Sequence, residues 1–382
     1  MKRTVYLDNA ATTKTDPEVI KAMMPYYIKM YGNPSASYEF GNLSSTAIDE
    51  ARLKIARFIN ADWEEIRFTS CGTESDNWVF RGLTSPGDHI ITSAIEHHAI
   101  LNTCKYLEEH GVEVTYIGVD KNGVVNPNDI KNAIKPNTKL ISIMYANNEI
   151  GTIQPIKEIG QIAHDNGILF HTDAVQVYGH VQIDVQDENI DLLSSSAHKL
   201  NGPKGIGFLY IRKGIEIKPL LYGGGQQDGL RPGTENVPAI VGYGAATDIA
   251  KSELWERRRE CLRVNNYFTE KLLKYIPDIN INGIEANRLP NNISVSFLGI
   301  RGETLLILLE MHGIYVSTGS ACNSASGETS HVLTAIGLPE DVANSTIRFT
   351  LSHETTIEDI DYVIDVLIQV VGQLRMVNKR NG

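Results

Sequence analysis

Lys199 closes the stretch Ser194-Ser195-Ser196-Ala197-His198-Lys199, and the residue types around it suit covalent chemistry. Asp191 to Ala197 reads as a short buried strand, Leu200 to Gly205 as a turn punctuated by Gly and Pro, and Gly207 to Ile211 as a second apolar strand. A lysine at the lip of a buried strand is costly to desolvate as a cation, which favours a depressed pKa or a covalent partner. Ser196 and His198 beside it offer donors suited to a phosphate. A lone strand-end lysine more often snorkels to solvent. The chemistry therefore needs support from elsewhere in the chain.

Other strand ends supply it. Phe68 to Ser75 reads as strand, glycine turn and helix start, placing Gly72 and Thr73 where free N–H groups and a hydroxyl can hold an anion. The same pattern also serves as a plain helix cap. His171-Thr172-Asp173 ends an apolar strand with a carboxylate able to pair with a protonated ring nitrogen, or simply to cap the strand. His97 and His98 end another strand; an imidazole there can stack on a ring and move protons near neutral pH. Adjacent histidines are often surface residues, and the spaced partners of a zinc site are missing, so no metal is expected. A phosphate-bearing carbonyl cofactor on a Schiff-base lysine, pyridoxal 5'-phosphate, would use all of these groups at once. Separately, the small residues from Ser317 to Gly327 surround Cys322 and read as a loop presenting a thiol. The usual fate of a free cysteine, a small buried hydrophobe, fits that polar setting poorly.

The elements that must position these residues alternate. Strands are expected at 66–69, 89–92, 112–116, 140–144 and 168–171, and Ile153, Ile156, Ile159, Ile162 and Ala163 fall at helical spacing between the last two. This implies an α/β fold: a mostly parallel sheet covered by helices on both faces, with ligands at the carboxyl ends of its strands. After about Ala250 a charged helix (Glu253 to Tyr275), strand 292–297, an apolar helix around Leu305, strand 347–350 and an amphipathic helix from Ile357 to about Leu374 read as a smaller α+β domain. The expected division is 16–254 for a large cofactor-binding domain, and 1–15 with 255–382 for a small domain carrying the cysteine loop.

The 382 residues suffice for two domains, and 42% hydrophobic with 21% charged residues is an ordinary globular composition. A net charge of −11 gives no broad field for nucleic acid or an anionic membrane. The run Leu305 to Leu309 is too short to span a bilayer, and the first residues lack the apolar region of a signal peptide. Four scattered cysteines without a C-x-x-C pair argue against a disulfide framework or zinc ribbon and suggest a reducing cytoplasm. No G-x-G-x-x-G follows a strand, which disfavours a nicotinamide dehydrogenase.

Ten motifs in order now bear on family. They are Tyr6 to Thr13, Gly32-Asn33-Pro34, Thr73 to Asn77, Glu96-His97, Asn147 to Gly151, Asp173 to Gln176, His198-Lys199, Arg231 to Thr234, Gly319 to Cys322 and Ser345 to Phe349. On these the chain resembles the cysteine desulfurases, pyridoxal-phosphate enzymes of fold-type I in the class-V aminotransferase group. The resemblance implies that Lys199 holds the cofactor and shuttles the substrate's Cα proton. It places Asp173 on the ring nitrogen, Gln176 on the ring hydroxyl and His97 on the ring face as acid/base. Gly72, Thr73, Ser196 and His198 would hold the phosphate, joined by Thr234 from a neighbouring subunit of a homodimer. Asn148 and Arg348 would position L-cysteine, with Arg348 forking onto its carboxylate, and Cys322 would take the sulfur as a persulfide while alanine leaves. A sulfur-acceptor protein, such as an iron–sulfur scaffold or a thiolation relay, would be the partner.

Ala197 stands where the family usually has glycine, Cys71 adds a thiol beside the phosphate turn, and the end at Gly382 leaves scaffold docking open. Selenocysteine lyase or class-V aminotransferase activity is the nearest alternative, and a non-catalytic sulfur relay would be expected to lack Lys199 or Asp173. Cys322→Ser should therefore keep cofactor colour and bind cysteine yet release no sulfide, whereas Lys199→Ala should lose turnover; full sulfide release by Cys322→Ser would remove the assigned nucleophile.

Overall fold

Alternation along each strand decides how the large sheet is covered. The structure, a computed structural model, describes residues 3–318 and 329–381. Its strands are β1 (Val5–Tyr6), β2 (Ile66–Thr69), β3 (His89–Ser93), β4 (Glu113–Ile117), β5 (Thr138–Ser142), β6 (Leu169–Asp173), β7 (Leu192–Ser196), β8 (Gly207–Ile211), β9 (Ile279–Ile281), β10 (Asn292–Phe297), β11 (Ile314–Tyr315), β12 (Ser317–Thr318) and β13 (Thr346–Thr350). Its helices are α1 (Pro17–Ile28), α2 (Glu39–Phe58), α3 (Gly72–Leu83), α4 (His98–Glu109), α5 (Pro127–Ala133), α6 (Ile156–Asp165), α7 (Val237–Tyr275), α8 (Gly302–Met311), α9 (His331–Ala335), α10 (Glu340–Ala343) and α11 (Ile357–Asn381).

A seven-stranded sheet runs in the order β2-β8-β7-β6-β5-β3-β4. Its pairs are parallel except the two that β8 makes with β2 and β7. Consecutive residues enter different cores. Ile91, Ile141, Phe170, Leu193 and Phe208 pack with Ile55 of α2, Ile159 of α6 and Ile240 of α7. Their neighbours Ile90, Leu140, Leu192 and Leu209 pack with Trp78 and Phe80 of α3 and Leu107 of α4. Both faces are therefore buried, as a mostly parallel sheet requires.

The second sheet is four-stranded and antiparallel, ordered β12-β13-β10-β9. Its core draws Val5 and Leu7 together with Phe268, Phe297, Phe349 and Ile360. The N-terminal segment joins the two sheets. β1 pairs with β11, Asn9 Nδ2 donates to the Thr350 carbonyl at 2.8 Å, and Thr13 N–H and Oγ1 both reach the His198 carbonyl.

Two expectations are corrected. The charged helix begins not at Glu253 but at Val237, running 39 residues. Gly242 and Gly244 weaken the helical pattern there but let α7 approach closely: a Cβ on Gly242 would lie 2.7 Å from Met23 Sδ, and one on Gly244 2.9 Å from Ala51 Cα. Ile153 lies outside α6 and instead bridges Ala146. The remaining boundaries shift by a few residues at most, and α11 extends past Leu374.

Gly202 packs directly under the turn that carries Lys199. A Cβ on Gly202 would meet the Ala197 carbonyl oxygen at 2.7 Å and Ala197 Cβ at 2.8 Å. Gly202→Ala should thus cost about 1–3 kcal/mol by overpacking and lower the melting temperature. An unchanged thermal melt would show that the turn yields freely.

Candidate active site

The carboxyl ends of β3, β5, β6 and β7 open onto one cavity of about 330 Å³. It is lined by Gly72 and Thr73 at the start of α3, His97, Asn148, Asp173, Gln176, Ser196, His198, Lys199 and Arg348, all named from sequence. Ala10 and Ala11 form a wall that the sequence reading did not assign to the site. Thr234, expected from a second copy, is exposed and not among the lining residues. Cys322 lies outside the described residues.

Each side chain is placed by its element. β6 ends at Asp173, whose carboxyl accepts from Val175 N–H at 2.9 Å. Burial pushes its pKa up to about 6, against the pull of that N–H and of the Lys199 charge. Lys199 ends a short helical turn after β7, and its Nζ donates to the carbonyls of Ala10 at 2.5 Å and Ala11 at 2.8 Å. Ala197, in the same turn, has no positive φ, so its methyl is accommodated where a glycine was expected. His198 Nδ1 sits 3.1 Å from Thr12 Oγ1, and burial, then the Lys199 and Lys204 charges, lowers its pKa to about 4.

His97 caps α4, its Nδ1 accepting from Ala99 N–H at 3.1 Å, which leaves the proton of the neutral ring on Nε2. Its pKa falls to about 4 through burial, then the charges of Lys199, His98 and His331. At the start of α3, Glu74 accepts from Ser70 N–H at 2.7 Å and pairs with Arg231 at 2.8 and 3.1 Å. Burial opposes its charge, but Arg231 and Ser70 outweigh it and hold the carboxyl below its usual range. The pair also pins the segment leading to Thr234 against this helix end.

Arg348 reaches the same cavity with its guanidinium partnered by the chain itself. Its Nη2 pairs with Asp8 at 2.7 Å and its Nη1 donates to the Asn148 carbonyl at 3.1 Å, so the fork is already engaged within the chain. Its buried Nε has no hydrogen-bond partner. Gln176 Nε2 donates to the Ala10 carbonyl at 3.1 Å.

The donor set fits a phosphorylated pyridine aldehyde. The amine of Lys199, the buried carboxylate of Asp173 and the imidazole of His97 converge on the cavity, and a helix N-terminus with Thr73, Ser196 and His198 suits a dianion. Asp76 Oδ1, in the same wall, is likewise buried without a hydrogen-bond partner. Among the described residues, no cluster of His, Cys, Asp and Glu has the arrangement of a metal site, and no helix is long and apolar enough to cross a membrane.

Comparison with known proteins places this chain in a family. The class-V aminotransferase family model matches residues 5–363. A cysteine desulfurase IscS of Methanosarcina thermophila is 55% identical over 98% of this chain and 93% of its own. The solved structure of a NifS-like protein superposes with a TM-score of 0.91 at 40% identity, covering 98% of this chain and all of that one. A solved structure of SspA in complex with cysteine gives a TM-score of 0.83 at 39% identity over 92% of this chain and all of that one.

Because its pKa is depressed, His97 should remain neutral at pH 7 in the cofactor-free protein and take up a proton only near pH 4. An NMR titration of the histidine rings, assigned with His97→Gln, checks this; a His97 ring titrating near the ordinary value of about 6.5 would contradict the desolvation account.

Proposed function

We propose that this chain, which belongs to the class-V aminotransferase family, is a pyridoxal-phosphate-dependent cysteine desulfurase that converts L-cysteine to L-alanine and passes the sulfur to Cys322. One observation carries the reading: separate strand ends bring the amine of Lys199, the carboxylate of Asp173, the imidazole of His97 and a helix N-terminus to a single cavity. The cysteine desulfurase names of relatives at 46–55% identity support it.

The cofactor, when bound, supplies an electron sink that labilises bonds at the substrate's Cα and Cβ. Lys199 holds it covalently and, once released, carries the Cα proton. Asp173 holds the proton of the ring nitrogen, Gln176 the ring hydroxyl, and His97 covers the ring face. Gly72, Thr73, Ser196 and His198 bind the phosphate, with Thr234 of a second copy. Asn148 and Arg348 orient the substrate, Arg348 being held in place by Asp8. The Cys322 thiolate attacks the substrate sulfur; the S–S bond forms as the C–S bond breaks, and its electron pair stays with the carbon skeleton that leaves as alanine. The resulting persulfide passes to an acceptor protein, in iron–sulfur cluster assembly or a thiolation pathway in the cytoplasm.

A homodimer fits the surface. Tyr27, Ile28 and Tyr31 in and after α1 are 58, 62 and 69% exposed, a patch of apolar area that a second copy would cover. Residues 16–254 form the cofactor-holding domain and 1–15 with 255–382 the small one; the shared core of Val5 and Leu7 with residues from 264 onward supports that division.

Borohydride reduction of the purified, cofactor-loaded protein followed by peptide mapping should place the cofactor on the peptide containing Lys199. A colourless protein that takes up no pyridoxal phosphate would refute the reading.

A further inference from the structure

Polar side chains occupy the α3-facing side of the sheet where alternation calls for apolar ones. Leu140, Leu169 and Leu192 pack in the core beneath α3, and the next residues on that face are Ser142, His171 and Ser194, each 0% exposed. These three form a chain: Ser142 Oγ lies 2.8 Å from His171 Nδ1, and His171 Nε2 lies 3.0 Å from Ser194 Oγ. Phe80 of α3 seals His171 edge-on, with ring centroids 6.0 Å apart. Asp76, in the first turn and a half of α3, comes down onto the row. It is 1% exposed, its Oδ1 is 3.7 Å from His171 Nε2, and the nearby Ser194 hydroxyl favours its charged form. Its Oδ1 has no hydrogen-bond partner, although the residue lines the cavity.

A second carboxyl belongs to the same patch. Asp173 is on the same face as His171, two residues further along β6, and pairs in register with Ser194. Two buried acids this close cannot both ionise cheaply. Asp173 has the better support for charge, with the Val175 N–H and the nearby Lys199 cation. Burial first, then the Asp173, Glu96 and Cys71 charges, oppose the ionisation of Asp76, and only the Ser194 hydroxyl favours it. His171 cannot supply a cation, since burial lowers its pKa to about 3.

We propose that Asp76 is a positioning residue that keeps its proton at neutral pH, so that the Asp76–Asp173 pair holds a single negative charge and that charge sits on Asp173, beneath the cofactor's ring nitrogen. The inference rests on the proposed function for the ring, but the protonation of Asp76 is a property of the protein by itself. Burial displaces both carboxyl pKa values upward, which agrees with a pair that keeps one proton. The neutral acid also packs against the hydrogen-bonded row of His171 and Ser194 beside Asp173.

Two measurements test this. Infrared difference spectra of the cofactor-free protein at neutral pH, wild type against Asp76→Asn, should show loss of a protonated carboxylic-acid band and no loss of carboxylate band; loss of a carboxylate band would overturn the proposal. Asp76→Ala gives the same readout should Asn not fit the wall. In the loaded protein, the pH titration of the visible band should be unchanged in Asp76→Asn, because one neutral group replaces another. Movement of that titration to lower pH by about one unit is the mark of a removed buried charge and would also overturn it. A protein that takes up no cofactor would sink the proposed function, while the infrared arm would still decide the state of Asp76.

Discussion

A carboxylate buried at the end of a central strand is the constraint around which this molecule is arranged. Asp173 is only 6% exposed, and an ion so placed needs a cation or hydrogen-bond donors to remain charged. The protein itself supplies one backbone N–H and the field of Lys199, enough to bring the carboxyl near neutrality but not into its ordinary range. A protonated pyridine nitrogen meets that need. In the proposed function the site thus selects its cofactor by charge at one end and by a helix N-terminus at the other, the two ends of one rigid ligand.

The rest of the cavity depends on the N-terminal segment. Residues 8–13 leave the small sheet at Thr350 and reach the His198 carbonyl, and on the way their carbonyls receive Lys199 and Gln176. Asp8 engages Arg348, whose side chain is 4% exposed, so the small sheet delivers its arginine to the large sheet's cavity through an ion pair shielded from salt. Replacing Asp8 would leave a buried guanidinium without its countercharge, which is a worse state than never having buried the pair.

Much of this was legible in the residues. Short continuous apolar runs gave the strands of the large sheet because both faces are buried, and chemistry-bearing residues sat at the strand ends where parallel sheets bind ligands. The start of α7 was not legible, because Gly242 and Gly244 serve close packing against α1 and α2 and lower the local helical signal. The wall formed by Ala10 and Ala11 carries no side-chain chemistry; its backbone carbonyls do the binding, and sequence does not show where carbonyls point. Asp76 and His171 read as ordinary members of a helix and a strand. A signal existed in retrospect: Ser142, His171 and Ser194 break the apolar alternation on one face at adjacent strands. The engagement of Arg348 by Asp8 depends on a contact between residues 340 positions apart, beyond any local pattern.

The central claim is that Asp173 holds a protonated ring nitrogen, and nitrogen NMR of the protein loaded with cofactor labelled at that atom observes it directly. The account predicts the shift of a protonated pyridine at neutral pH in the wild type and of an unprotonated one in Asp173→Asn. An unprotonated nitrogen in the wild type, or the same shift in both proteins, would contradict it.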